Sequence, residues 1–190
     1  MVVLRRSHVS TFVPVAFPLL PRSIRTLDIS ENSMMRWYLQ DLAVSLLVNL
    51  VSFKADDHEH MDNQDLLAVL SPSLGNRSLR FLSLKRCPKI DFGSLEWLTD
   101  LGMNLEGLEI GGNHFISDEM SKHVAKFTKL KYLGISYSSI STIGLQDVVN
   151  GSLGVLKEVD ILGCKNVDLD VERVAAETGV KLTQRCWSSQ

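Results

Sequence analysis

A short pattern, L-x-x-L-x-L-x-x-(N/C), returns at nearly constant spacing along the chain and constrains the fold more than any other feature. It reads Ile24-Arg-Thr-Leu27-Asp-Ile29-Ser-Glu-Asn32, then more loosely Leu50 to His58. Leu79 to Cys87, Leu105 to Asn113, Leu130 to Ser138 and Leu156 to Cys164 repeat it. With the second apolar position as marker, the copies fall at Leu27, Phe53, Leu82, Leu108, Leu133 and Val159, at intervals of 26, 29, 26, 25 and 26 residues. Half a copy, Val2-x-Leu4-x-x-Ser7, lies 25 residues before Leu27, and Val180-Lys-Leu182 opens another after Val159. The expected organisation is one domain: a partial repeat over 1–20, six repeats over about 24–179, and a partial turn over 180–190.

The pattern has a physical reading. In x-L-x-L-x the period of two sends the leucines to one face of a short strand and the intervening residues to the other. Each copy then changes to helical spacing. Leu95, Leu98 and Leu101 do so, as do Met120, Val124 and Phe127, Leu145, Val148 and Leu153, and Val171, Val174 and Ala175. One strand and one helix per repeat cannot bury an apolar face alone, so the copies must stack. The expected fold is an α/β solenoid with a curved parallel sheet on the concave side and helices outside. The polar slot after each strand (Asn32, His58, Cys87, Asn113, Ser138, Cys164) is expected to turn inward and bond backbone groups that have left the sheet.

This pattern resembles the leucine-rich-repeat superfamily over nearly the whole chain. The period, the cysteines in the slots of Cys87 and Cys164, and the continuation Ile140-Ser-Thr-Ile-Gly144-Leu145 are similar to its cysteine-containing, ribonuclease-inhibitor-like branch, which includes the repeat regions of F-box substrate adaptors. The resemblance implies a non-enzymatic protein-protein interaction module that binds through the concave sheet. Its alternative implication is the substrate-recognition subunit of an F-box-type ubiquitin ligase. The absence of an F-box-like helical segment ahead of the repeats weighs against an autonomous adaptor.

Ala55 to Asp62, ADDHEHMD, looks at first like a metal site. The repeat frame divides it instead. His58 takes the inward slot, His60 the solvent side of the turn, Met61 an apolar position shared with Ile90, Ile116 and Val167, and Asp62 the N-cap of a helix. Asp56 and Asp57 fall beside Lys85 and Arg86 of the next repeat, and Asp28 beside Lys54, on strands about 4.8 Å apart. Charge pairing accounts for the stretch, whereas a metal needs three or four convergent ligands. No metal or cofactor is expected.

Composition narrows the rest. With 20 basic and 22 acidic residues, net charge -2, there is no electrostatic reason to expect nucleic acid or an anionic membrane as partner. The most apolar run, Leu42 to Phe53, is too short for a bilayer span of about 20 residues. Three widely spaced cysteines make no disulfide framework, which points to a cytoplasmic or nuclear setting. Arg5, Arg6, Arg22 and Arg25 ahead of any acid hint at a mitochondrial presequence, but Pro14, Pro18 and Pro21 oppose the required helix. Walker-type, dinucleotide, H-E-x-x-H and G-x-S-x-G patterns are absent, and His8, His114 and His123 lie in no triad-like frame, so no enzyme is expected.

The candidate site is therefore the concave row set. The first row runs Thr26, Ser52, Phe81, Gly107, Tyr132, Glu158, and the second Asp28, Lys54, Ser83, Glu109, Gly134, Asp160. The third runs Ser30, Asp56, Lys85, Gly111, Ser136, Leu162, with Tyr137 one residue beyond. Exposed aromatics flanking a bare glycine floor at Gly107, Gly111 and Gly112 would make a binding spot of Phe81, Lys85, Glu109, Tyr132, Tyr137 and Glu158 for another protein. In this frame Tyr132 stands exposed and its removal leaves stability nearly unchanged, whereas Leu133→Ala costs about 2–5 kcal/mol. An open strand at the N-terminal end is expected either to be covered by Phe12 to Leu20 or to pair, giving a monomer or a weak edge-mediated dimer.

Overall fold

The computed structural model describes residues 2–3, 23–31, 48–75, 77–100, 104–152, 154–168 and 171–183. Among the described residues, eight strands form one parallel sheet in chain order: β1 Val2–Val3, β2 Thr26–Asp28, β3 Ser52–Lys54, β4 Phe81–Ser83, β5 Gly107–Glu109, β6 Tyr132–Gly134, β7 Glu158–Asp160 and β8 Lys181–Thr183. The helices among the described residues are α1 Asn63–Gly75, α2 Phe92–Asp100, α3 Ser121–Val124 (preceded by a 3-10 turn, Asp118–Met120), α4 Thr142–Gly151 and α5 Val171–Thr178. Since every strand is parallel to its neighbours, each crossover returns the chain from the C-terminal edge of the sheet to the N-terminal edge. The fold is an α/β solenoid with one short parallel strand per repeat.

Register follows the marker residues. Val2 pairs with Leu27, Leu27 with Phe53, Phe53 with Leu82, and so on through Leu108, Leu133 and Val159 to Leu182. All six described markers from Leu27 to Val159 are fully buried, with Ile24, Leu50, Leu79, Leu105, Leu130 and Leu156 ahead of them and Ile29, Ala55, Leu84, Ile110, Ile135 and Ile161 behind. Leu66, Val69 and Leu70 of α1, Leu95 and Leu98 of α2, and Leu145, Val148 and Val149 of α4 close the same core from the convex side. At about 0.8 kcal/mol per buried methylene, this continuous apolar seam is the main source of stability. Leu101 and Leu153 of the expected helical faces, and the segment Phe12 to Leu20, lie outside the described residues.

The three-residue strands end because the chain turns inward through one unusual residue. Glu31, Asp57, Arg86, Gly112, Tyr137 and Gly163 occupy the same position in successive repeats, and all have positive φ, between 51° and 75°. This left-handed turn lets the sheet bonding continue past the strand: Glu31 N–H bonds Asp56 O, Asp57 bonds Lys85, Arg86 bonds Gly111, Gly112 bonds Ser136, and Tyr137 bonds Leu162. Four of the six carry side chains, although a left-handed residue with a Cβ costs about 1–2 kcal/mol.

The next residue is the polar slot, and its side chain does the expected work. Asn113 Nδ2 donates to Leu84 O at 2.7 Å and Ile110 O at 2.6 Å, while its Oδ1 accepts from Cys87 N at 2.7 Å. Cys87 Sγ donates to Ala55 O at 3.1 Å and Cys164 Sγ to Ile135 O at 3.2 Å. For both cysteines the acceptor is the carbonyl two residues beyond the previous repeat's marker, as Leu84 O is for Asn113. Cys87 is fully buried, and that burial pushes its thiol up to about 12, so it serves as a hydrogen-bond donor and not as a nucleophile. Asn32, the first slot, lies outside the described residues. Asn113→Ala strands two carbonyls and one amide in the core and should destabilise the protein by at least about 2 kcal/mol, read as a lower urea midpoint.

Candidate functional site

The acidic stretch resolves as the repeat frame requires. His58 is fully buried, His60 is exposed and Met61 is fully buried. His58 Nδ1 accepts from Met61 N at 3.1 Å, and Asp62 Oδ1 caps α1 by accepting from the amides of Gln64 and Asp65 at 2.9 and 3.0 Å. Asp56 Oδ2 lies 3.6 Å from Lys85 Nζ, and Asp57 makes a two-pronged pair with Arg86 through Nε and NH2. Among the described residues there is no group of three or more His, Cys, Asp or Glu side chains arranged to hold a metal.

The concave rows line up in register, so each side chain stands directly beside its counterpart one strand away. Phe81 therefore falls next to Gly107, Glu109 next to Gly134, and Tyr132 next to both Gly107 and Glu158. A Cβ placed on Gly107 would meet the Phe81 ring at 2.6 Å, and one on Gly134 would meet the Glu109 carboxyl carbon at the same distance. The glycines are thus covered, not bare, which corrects the expected glycine floor. Gly111 and Gly112 are covered too: a Cβ there would strike Ser136 Oγ and Arg86 Cγ. A missing side chain beside a large one is filled by the large one leaning over, because a void loses both contact and burial.

The same leaning buries residues expected to stand out. Tyr132 is only 6% exposed, and its hydroxyl donates to Glu109 Oε1. Burial first, and then that bond, push the phenol well above its ordinary pKa. The expectation of an exposed, dispensable Tyr132 is therefore overturned by its neighbour: the ring lies across the sheet toward Glu109 in place of pointing to solvent. Glu109 is 1% exposed, and burial raises its pKa against the lowering effects of Tyr132 and of Lys85, whose Nζ lies 3.6 Å away. Asp160 is fully buried, its Oδ1 accepting from Leu162 N at 3.1 Å, and burial raises its pKa as well. The protonated forms of both are favoured in the fold, so their contribution to stability is present at low pH and lost as pH rises through their raised pKa values.

What remains accessible is narrower than the sequence implied. Phe81 is half-buried with Lys54 Nζ 5.3 Å from its ring centroid, Lys85 is largely enclosed between Asp56 and Glu109, and Glu158 is half-buried beside Lys181 at 3.5 Å. Tyr137 is 61% exposed, but it stands on the C-terminal rim, lying over Gly163 beside a cavity of about 530 Å³ that His114 and Lys165 also line. His123 is half-buried in α3 with its ring edge-on to Phe92 at 4.5 Å. His8 lies outside the described residues.

No protein-family model matches the chain, and no curated protein matches it. Among solved structures, the crystal structure of human 5T4 (Wnt-activated inhibitory factor 1, trophoblast glycoprotein) is similar over 77% of this chain and 51% of its own, with 17% identity and a TM-score of 0.49. The chain spans about half the length of that structure.

Two outcomes follow from these contacts. Tyr132→Phe leaves a buried Glu109 oxygen without its donor and should cost about 1–3 kcal/mol in urea melts, and Tyr132→Ala should cost as much as Leu133→Ala, about 2–5 kcal/mol. His58 has its pKa lowered from 6.5 to about 4, by burial first and the nearby His60 second. Its neutral form is favoured in the fold, so its contribution is complete above 6.5 and lost as pH falls toward 4. Between about pH 7 and about pH 4, the wild type should lose up to about 3 kcal/mol more stability than His58→Asn.

Proposed function

We propose that the chain is a non-enzymatic protein-binding module that engages its partner through the concave sheet. The observation that carries this reading is the locking of that surface. Lys54 sits over Phe81, Phe81 over Gly107, Glu109 over Gly134, and Lys85 between Asp56 and Glu109. A surface whose side chains are already fixed loses little rotamer freedom on association, which favours a folded macromolecular partner. Phe81, Lys85 and Glu158 supply the contact atoms, Tyr132 and Glu109 hold the layer beneath them, and Tyr137 extends it onto the rim. Assignment to the cysteine-bearing, ribonuclease-inhibitor-like branch is supported by Cys87 and Cys164, each donating to the carbonyl of the preceding repeat. The ubiquitin-ligase adaptor reading rests on the repeat pattern alone.

A photoreactive phenylalanine analogue at position 81 or 158 should crosslink to one common partner, and the same group at Ile143, exposed on α4, should not. Phe81→Ala should then weaken binding to that partner by at least about 1 kcal/mol. Crosslinking from Ile143 alone would place the interface on the helices and sink the proposal.

A further inference from the structure

The residue immediately before each strand forms a row of its own on the N-terminal edge of the sheet: Arg25, Val51, Arg80, Glu106, Lys131 and Lys157. The backbone holds this row in line, since Arg80 N–H bonds Val51 O, Glu106 bonds Arg80, Lys131 bonds Glu106 and Lys157 bonds Lys131. Arg77 and Lys129 lie in the turns just ahead of it, and Lys181 opens β8 beside it. All seven cations except Arg80 are exposed, and Arg80 is half-buried. The single acid within the row, Glu106, is shared by Lys131 at 2.6 Å and Arg80 at 3.6 Å, and Glu158 answers Lys181. Among the described residues Arg25, Arg77, Lys129 and Lys157 have no ion pair; Lys129 and Lys157 donate only to Asn104 Oδ1 and Gly154 O.

The opposite edge is mainly acidic, although Arg86 and Lys165 also stand on it. Asp62, Asp91 and Asp118 stand where the crossovers begin, bonding backbone amides there. A chain of net charge -2 is thus polarised across its sheet. Parallel stacking of the helices gives a partial reason, because their C-terminal ends all face the basic edge, and cations there offset the helix dipoles. Half a charge per helix, spread over short helices, leaves much of the basic row uncompensated. Arg77 adds a second indication. It takes a left-handed φ of 49° in the turn position that the β7 repeat gives to Gly154 at φ 76°, so an arginine stands where glycine would fit with less strain.

We propose that this N-terminal edge is a docking surface for an acidic polypeptide segment. In-register strands lie about 4.8 Å apart, which puts Lys131 and Lys157 one strand spacing apart and Arg25, Arg80 and Lys131 two, within reach of the carboxylates of an extended acidic chain laid across the edge. The row carries no aromatic side chain on which bases could stack, which favours polypeptide over single-stranded nucleic acid. The surface is distinct from the concave rows and meets them only where Lys181 pairs with Glu158.

The test is fluorescence anisotropy with labelled octaglutamate, octaglutamine and an oligothymidylate of similar length. The wild-type protein should bind octaglutamate, ignore octaglutamine, and lose affinity as salt rises from about 50 to about 200 mM. Arg77→Gln, Lys129→Gln and Lys157→Gln together should weaken octaglutamate binding at least about tenfold, with single Lys157→Gln intermediate. Arg86→Gln with Lys165→Gln, on the opposite edge, should leave it unchanged. No binding at low salt, or equal losses from both sets of substitutions in variants that melt like the wild type, would overturn the proposal. Tighter binding of the oligothymidylate would also overturn it, assigning the edge to a polynucleotide.

Discussion

The inward turn after each strand is the constraint on which the rest of this structure depends. Once a strand ends after three residues, the carbonyls that follow it enter the core, where each unpaired one would cost on the order of 1–3 kcal/mol. Asn113 satisfies two of them and anchors the amide of Cys87; Cys87 and Cys164 each reach back to the previous repeat. These bonds run between repeats, so they fix the stacking distance and register as well as the turn. The left-handed residue just before the slot makes that geometry possible, and its side chain is left on the rim facing outward.

Register then decides the character of the concave face. Parallel strands with matched markers place each side chain beside the same position of the next repeat. Residue size is therefore correlated across strands: Phe81 requires a small neighbour and has Gly107, and Glu109 likewise has Gly134. The glycines act by close approach, not by backbone freedom. The resulting layer of Tyr132, Glu109, Lys85 and Asp56 is polar yet nearly closed to solvent. Charges in it are held by one another, which makes its composition far less tolerant of single changes than an ordinary solvated face.

The stacking also sums what each repeat does weakly. One lysine before one strand is an ordinary surface cation, and one aspartate at one helix start is an ordinary cap. Repetition in a common frame turns them into one basic edge and one mainly acidic edge. That separation is invisible in the net charge and emerges only when positions are compared across the repeat.

The sequence by itself determined the repeat, the alternation that sends Leu27, Phe53, Leu82, Leu108, Leu133 and Val159 inward, and the polar slot that follows, because all are periodic and periodicity is readable one residue at a time. It likewise fixed the fate of ADDHEHMD, since the frame alone separates His58 from His60 and sets Asp56 and Asp57 beside Lys85 and Arg86. The frame put Tyr132 on the concave side correctly, yet it could not show that Tyr132 would be buried there. Burial on that side depends on which side chain leans over which glycine on the neighbouring strand. That is a matter of size and hydrogen bonding between residues about 25 positions apart, and only the stacked tertiary structure brings Tyr132 to Glu109 and Glu109 over Gly134.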